Sequence, residues 1–214
     1  MFRREFVARL AGLAALLPFV SLSGLSGAAA AEEAPIDIST VEDMALGDPD
    51  APVTVIEYAS FTCPHCANFH ANVFKDLKKN YIDTGKVRFI HREVYFDRYG
   101  LWAGMVARCG GAMRYFGLAE LIYGGQREWT KGDDPAQIAD NLRRIGRSAG
   151  LTNDQLEACL SDGAKAQTLV AWYQANAETD KISATPSFVI DGELYSNMPY
   201  AEFAELLDAK LAAK

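Results

Sequence analysis

Two thiols stand at one point of the chain, Cys63 and Cys66, with Pro64 and His65 between them. Two sulfurs at this spacing can close a bridge and reopen it. The residues around them decide whether they do. Val53-Thr54-Val55-Ile56, before the pair, is β-branched and apolar and predicts a buried strand. After it, Phe69, Val73, Phe74, Leu77 and Tyr81 recur at three- and four-residue spacing, which predicts one face of a helix running to about Thr84, with Gly85 closing it. The thiols are therefore expected where a strand ends and a helix begins. Pro64 suits the first helical turn, where a missing N–H has no intrahelical partner to lose. Cys63 would then lie over the free N–H groups of the helix start, where a thiolate is favoured and the thiol pKa drops from about 8.5 to roughly 3.5–7.5. Cys63 is the expected attacking sulfur and Cys66, one turn further in, the resolving one. His65 can favour the Cys63 thiolate through its imidazole. Two other readings remain at this point: an inert staple, and a zinc site drawing on Cys63, Cys66, His70 and His91.

The elements that must position these sulfurs can be read in order. Asp48-Pro49-Asp50-Ala51-Pro52 is a turn cluster launching the first strand, and Val87 to Val94 predicts a second, so that strand, helix and strand form a parallel pair. Helices are expected over Leu101–Arg108, Ala112–Tyr123, from Asp133-Asp134-Pro135 to Gly150, from a capping box at Thr152 to Ser161, and over Ala164–Thr179. Ser187–Ile190 and Glu193–Tyr195 flank Asp191-Gly192, a hairpin signal, and Pro199–Leu211 predicts a closing helix. The fold class is α/β: a small mixed sheet with helices on its faces, split by an all-helical insertion. The corresponding segments are 32–96, 97–179 and 180–214, after an export signal at 1–31.

That signal has a short basic start with Arg3, Arg4 and Arg9, no charge from Leu10 to Ala31, and small residues at its end. A retained membrane anchor is the alternative, weakened by Pro18 and the Ser/Gly content of Ser21–Gly27. Arg3-Arg4 fits a twin-arginine route as well as the ordinary secretory one. Glu32 to Thr40 is expected to be an exposed tail. Net charge is -7 over 214 residues, without a basic stripe, which argues against nucleic acid. Two further cysteines, Cys109 and Cys159, lie in the insertion. In an oxidising compartment such thiols most often pair, the alternative being two free thiols.

The layout, Phe61-Thr62-Cys63-Pro64-His65-Cys66 and Ala184-Thr185-Pro186 together resemble the thioredoxin superfamily, and within it the DsbA branch of exported thiol oxidases. The resemblance covers nearly all of the chain after residue 31. It implies a cis Pro186 facing the cysteines, with Thr185 free to pair with a substrate peptide; an ordinary trans proline opening the strand is the alternative. It implies that Glu57, in the first strand, lies under the site and takes a proton when Cys66 attacks, the alternative being a solvent-facing carboxylate. His70 stands where an acidic residue is usual. A second, non-catalytic bridge between Cys109 and Cys159 also resembles part of the family. The implied activity is oxidation of reduced, unfolded exported polypeptides in the periplasm by a monomer with no cofactor beyond the Cys63–Cys66 disulfide and no metal. A quinone-linked membrane protein of the DsbB type would re-oxidise it. A reductase or isomerase, or a non-catalytic peptide-binding chaperone, are the rivals. Isomerases of the superfamily carry an added dimerisation domain, for which the roughly twenty residues before the first core strand are too few.

Overall fold

The computed structural model describes residues 36–214. The export signal assigned to residues 1–31 lies outside them. Among the described residues no helix is long and apolar enough to cross a membrane.

Five strands form one sheet: β1 (Met44–Leu46), β2 (Val53–Ala59), β3 (Val87–Glu93), β4 (Ser187–Ile190) and β5 (Glu193–Ser196), in the order β1-β3-β2-β4-β5. β2 and β3 are parallel, and the other three pairings are antiparallel. The crossover from β2 to β3 begins with α1 (Pro64–Asn72) and α2 (Phe74–Leu77). It ends in a wider π turn over Lys78–Ile82, where the Asp83 N–H reaches back five residues to the Lys78 carbonyl. The single helix expected to Thr84 is thus corrected to three pieces. Leu77, Tyr81 and Ile82 all stay buried, so the change of pitch keeps the apolar face against the sheet. Gly85 follows at φ 72°, the left-handed geometry expected of it.

Between β3 and β4 the chain is helical: α3 (Arg98–Cys109), α4 (Ala112–Gly124), α5 (Gln126–Trp129), α6 (Pro135–Ser148), α7 (Asn153–Ser161) and α8 (Gly163–Thr179). Side-chain oxygens of Asp97, Asp134, Thr152 and Asp162 cap α3, α6, α7 and α8, and Thr152 with Gln155 forms the full capping box. The one-turn α5 departs from expectation, because Gly124-Gly125 reads as an ending. Asp191 and Gly192, at φ 48° and 86°, make the turn from β4 to β5. Such a pair matches the twist of adjoining strands. α9 (Tyr200–Ala212) closes the chain.

One core packs Val55, Phe89, Phe188 and Ile190 of the sheet against Phe69, Phe203 and Leu207. A second joins Val106, Tyr115, Leu118, Ile122, Trp129, Ile138 and Leu142 of the helices to Ala59, Phe61, Cys63 and Cys66. The dithiol segment is therefore part of the insertion's own core, at the seam with the sheet. Truncating a fully buried Phe in either cluster should cost about 3–5 kcal/mol. Of the exposed tail expected over Glu32 to Thr40, residues 32–35 lie outside the described residues and Ile36, Asp37, Ser39 and Thr40 are exposed; Ile38 is the exception, half-buried against Val41, Met105, Leu169 and Trp172. β1 is an addition to the expected strands; three residues are too few for an alternation to register.

Candidate active site

Cys63 is the residue immediately before α1, in extended conformation (φ -81°, ψ 119°), and Pro64 opens the helix. This follows from the local sequence, since proline sets its own φ for a first turn and biases the preceding residue away from helix. Cys63 is 9% exposed and Cys66 is fully buried; both are free thiols. Of the two sulfur-bearing residues, the expected attacking one is the less buried, though little of it meets solvent. His65 is exposed. What it offers Cys63 is its backbone N–H rather than the imidazole contact expected.

Several donors converge on Cys63. The Cys66 thiol gives the largest effect, followed by Thr185 and the backbone N–H groups of Cys66 and His65, and together they outweigh burial. The Cys63 thiol is held down to about 5, from an ordinary value of 9.0. In its protonated form Sγ donates to the Thr185 carbonyl at 3.4 Å. Cys66 goes strongly the other way. Burial raises its thiol, as do its hydrogen bond to Cys63 and the charge of Glu57. One sulfur is thereby a thiolate at neutral pH and its neighbour a thiol, the division a two-step exchange needs.

Thr185-Pro186 is brought to Cys63 across 122 positions of sequence, and the bond between them is cis. Pro186 is buried and Thr185 half-buried at the opening of β4. Gln126, on the unexpected α5, donates from one side-chain nitrogen to the carbonyls of Phe61 (2.8 Å) and Cys63 (2.9 Å). No sequence signal marks it, because a glutamine after two glycines reads as loop. Thr62 donates to Asp97 at 2.7 Å, tying the same segment to the cap of α3.

Glu57 is 0% exposed, on β2 opposite His91 of β3 and Phe188 of β4. It lies inside, beneath the cysteines, rather than toward solvent. Its Oε2 is 2.9 Å from Nε2 of His70, and Oε1 has no partner among the described residues. His70 sits one turn along α1 from Cys66, buried and stacked on the Tyr123 ring. His91 is fully buried, and burial lowers its pKa to about 3, so it is neutral. Its tautomer follows from its neighbours. Arg108 grips the Glu93 carboxylate with two bonds (2.7 and 2.6 Å), and Tyr115 donates its only proton to Glu93. The Tyr115 oxygen must then accept from Nδ1–H of His91 at 2.7 Å, which leaves Nε2 to accept from Tyr123 at 3.0 Å. Of the residues weighed as zinc ligands, His70 and His91 do come together with Glu57, their ligand-type atoms all within 4.8 Å. Both nitrogens of His91 are already engaged by tyrosines. Cys109 and Cys159 are joined by a disulfide between the end of α3 and α7, whereas Cys63 and Cys66 are free.

A mixed sheet with a parallel βαβ unit, a dithiol at its strand-to-helix junction and a proline loop facing the sulfurs defines a thioredoxin-fold redox protein. The chain belongs to the thioredoxin family: a family profile described as Thioredoxin matches residues 39–209. Within that family it is DsbA-like. The crystal structure of α-DsbA1 from Wolbachia pipientis superposes with a TM-score of 0.73 at 30% identity, covering 80% of this chain and 92% of that one. A relative from Rickettsia bellii, named among the protein-disulfide oxidoreductases, is 34% identical over 167 residues, covering 78% of this chain. The match spans 63% of that relative's length. Disulfide bond formation protein D of Bacillus subtilis is 24% identical over 173 residues, covering 79% of this chain and 77% of that protein.

Proposed function

We propose that the protein is a periplasmic dithiol oxidase that introduces disulfides into reduced, unfolded exported polypeptides. The observation that carries this reading is the split between the two thiols, Cys63 at about 5 and Cys66 raised, beside Thr185. A substrate thiolate attacks Cys63 of the oxidised enzyme; the Cys63–Cys66 bond breaks, and Cys66 leaves as a thiolate and takes up a proton. A second substrate thiolate then attacks the substrate's own sulfur in the mixed disulfide, and Cys63 departs as a stable thiolate. Two electrons pass from substrate to enzyme, and the substrate keeps the disulfide. Thr185 and Pro186 hold the substrate chain beside Cys63 during the mixed-disulfide stage.

Re-oxidation reverses the roles. Cys63 attacks the disulfide of a quinone-linked, DsbB-type membrane partner; Cys66 then loses its proton and closes the bridge. Glu57 is the group that exchanges this proton, since its charge acts on the Cys66 thiol and Oε1 is unpartnered. A stabilised Cys63 thiolate favours the reduced enzyme, and a dithiol that prefers to be reduced oxidises others. The test is the equilibrium with glutathione. A reduction potential near the oxidising end, about -120 mV, is expected, whereas about -270 mV would assign a reductase instead.

A further inference from the structure

His70 is buried one helical turn from Cys66, and it makes the hydrogen bond that Glu57 has, 2.9 Å to Oε2. Four titratable groups could share in this corner. Cys66 faces it from α1, Glu57 from β2, His91 from β3 and Tyr123 from α4. Phe69 and Phe74 supply uncharged walls.

Two of the four are already committed. His91 presents a lone pair, not a proton, at Nε2, and that atom is 4.0 Å from Glu57 Oε2, beyond hydrogen-bond reach. Tyr123 spends its only proton on His91. Neither can hold the Glu57 carboxylate. His70 is left as the group that fixes which oxygen is tied and which is free. A buried carboxylate with no fixed partner would turn among its rotamers, or move toward the tyrosine hydroxyl.

We propose that His70 is a positioning residue: its Nε2–H anchors Oε2 of Glu57 so that Oε1 stays available for the Cys66 proton. This rests on the role given above to Glu57, and the experiment separates the two. Reduced protein is mixed in stopped flow with excess 5,5′-dithiobis(2-nitrobenzoate). In the first phase the Cys63 thiolate breaks the reagent's disulfide, forming a mixed disulfide and releasing one thionitrobenzoate. In the second, Cys66 loses its proton and attacks Cys63, releasing another at a rate independent of reagent concentration. The first phase reports Cys63 and the second reports the proton transfer.

His70→Leu should slow the second phase about tenfold, as small misplacements of a reacting group do, and leave the first phase and its pH inflection unchanged. His70→Gln, whose Nε2 can occupy the same place, should restore most of the rate; His70→Asn, too short to reach, should not. These two also serve if the leucine variant fails to fold. Glu57→Gln should slow the second phase by at least as much, and adding His70→Leu to it should slow it no further. A normal second phase in both His70→Leu and His70→Asn, with Glu57→Gln slow, overturns the role of His70 alone. A normal second phase in Glu57→Gln overturns the reading of Glu57 and this inference with it. A His70→Gln rate as low as that of His70→Asn, or an additive loss in the double variant, would also refute positioning through Glu57.

Discussion

Acidifying the reduced protein should remove a definite amount of its stability, and the amount follows from Cys63. The thiol sits at about 5 in the folded chain against an ordinary 9.0. A depressed folded value stabilises fully above the unfolded one, and the benefit disappears as pH falls through the folded value. At pH 7 the group is two units above its folded value and still below its unfolded one, so at about 1.4 kcal/mol per unit the thiolate stabilises by about 3 kcal/mol. By pH 4 almost none of this remains. Cys66 contributes nothing to the difference, because a raised thiol stays protonated in both states below pH 9. The assay is urea unfolding of the reduced protein and of Cys63→Ser in parallel from pH 4 to pH 7. The poorer packing of a serine hydroxyl in place of the sulfur gives a constant offset, and other titrating groups cancel in the difference. The difference should widen by about 3 kcal/mol from pH 4 to pH 7, starting as pH rises through the folded value and still climbing at pH 7. A difference that stays flat from pH 4 to pH 7 would refute the argument that Cys63 is held as a thiolate. The same energy, expressed as a two-electron potential, is about 60 mV toward the oxidising end.

Replacing Cys109 and Cys159 with alanine should leave peptide oxidation near normal while lowering the thermal midpoint; closing a loop of 50 positions is worth about 4 kcal/mol in the chain-entropy description. Collapse of turnover in a folded double variant would mean that these cysteines carry electrons. Gln126→Ala strips a shared donor from two buried carbonyls and should cost about 1–3 kcal/mol, measured by denaturant titration, with faster alkylation of a less confined Cys63 as the second readout. Arg108→Leu leaves Glu93 buried without its cation and should destabilise by about 3–5 kcal/mol, a loss that Glu93→Gln in the same chain should partly recover.

The redox pair, its strand and its helix can be read from residue types alone, because proline after Cys63 and β-branched residues before it each permit few conformations. The Asp191-Gly192 hairpin and the Thr152 capping box are legible for the same reason. What cannot be read depends on meetings at a distance. Nothing near Gln126 says that it will reach two carbonyls more than sixty positions away. Tyr115 and Tyr123 look like core residues and His91 like a zinc ligand, and only the parallel register of β2 and β3 places His91 opposite Glu57. The π turn escapes notice because Leu77, Tyr81 and Ile82 keep a regular apolar spacing while the hydrogen bonds beneath them change partner.

The margins of the sheet bear on how a client could be let go. One margin is β1, three residues long, and the other is β5, four residues, with Glu193 tied to Lys210. Unfolded chains anneal readily to long, flat, unpaired strands. An extended polypeptide laid along either margin here finds too few free peptide groups to stay. Under the proposed function, retention would then rest on the sulfur–sulfur link at Cys63 and the few peptide groups near Thr185. Breaking that link would end the chemistry and the embrace in one event, so that a client leaves when it has been oxidised, with no separate unfastening step.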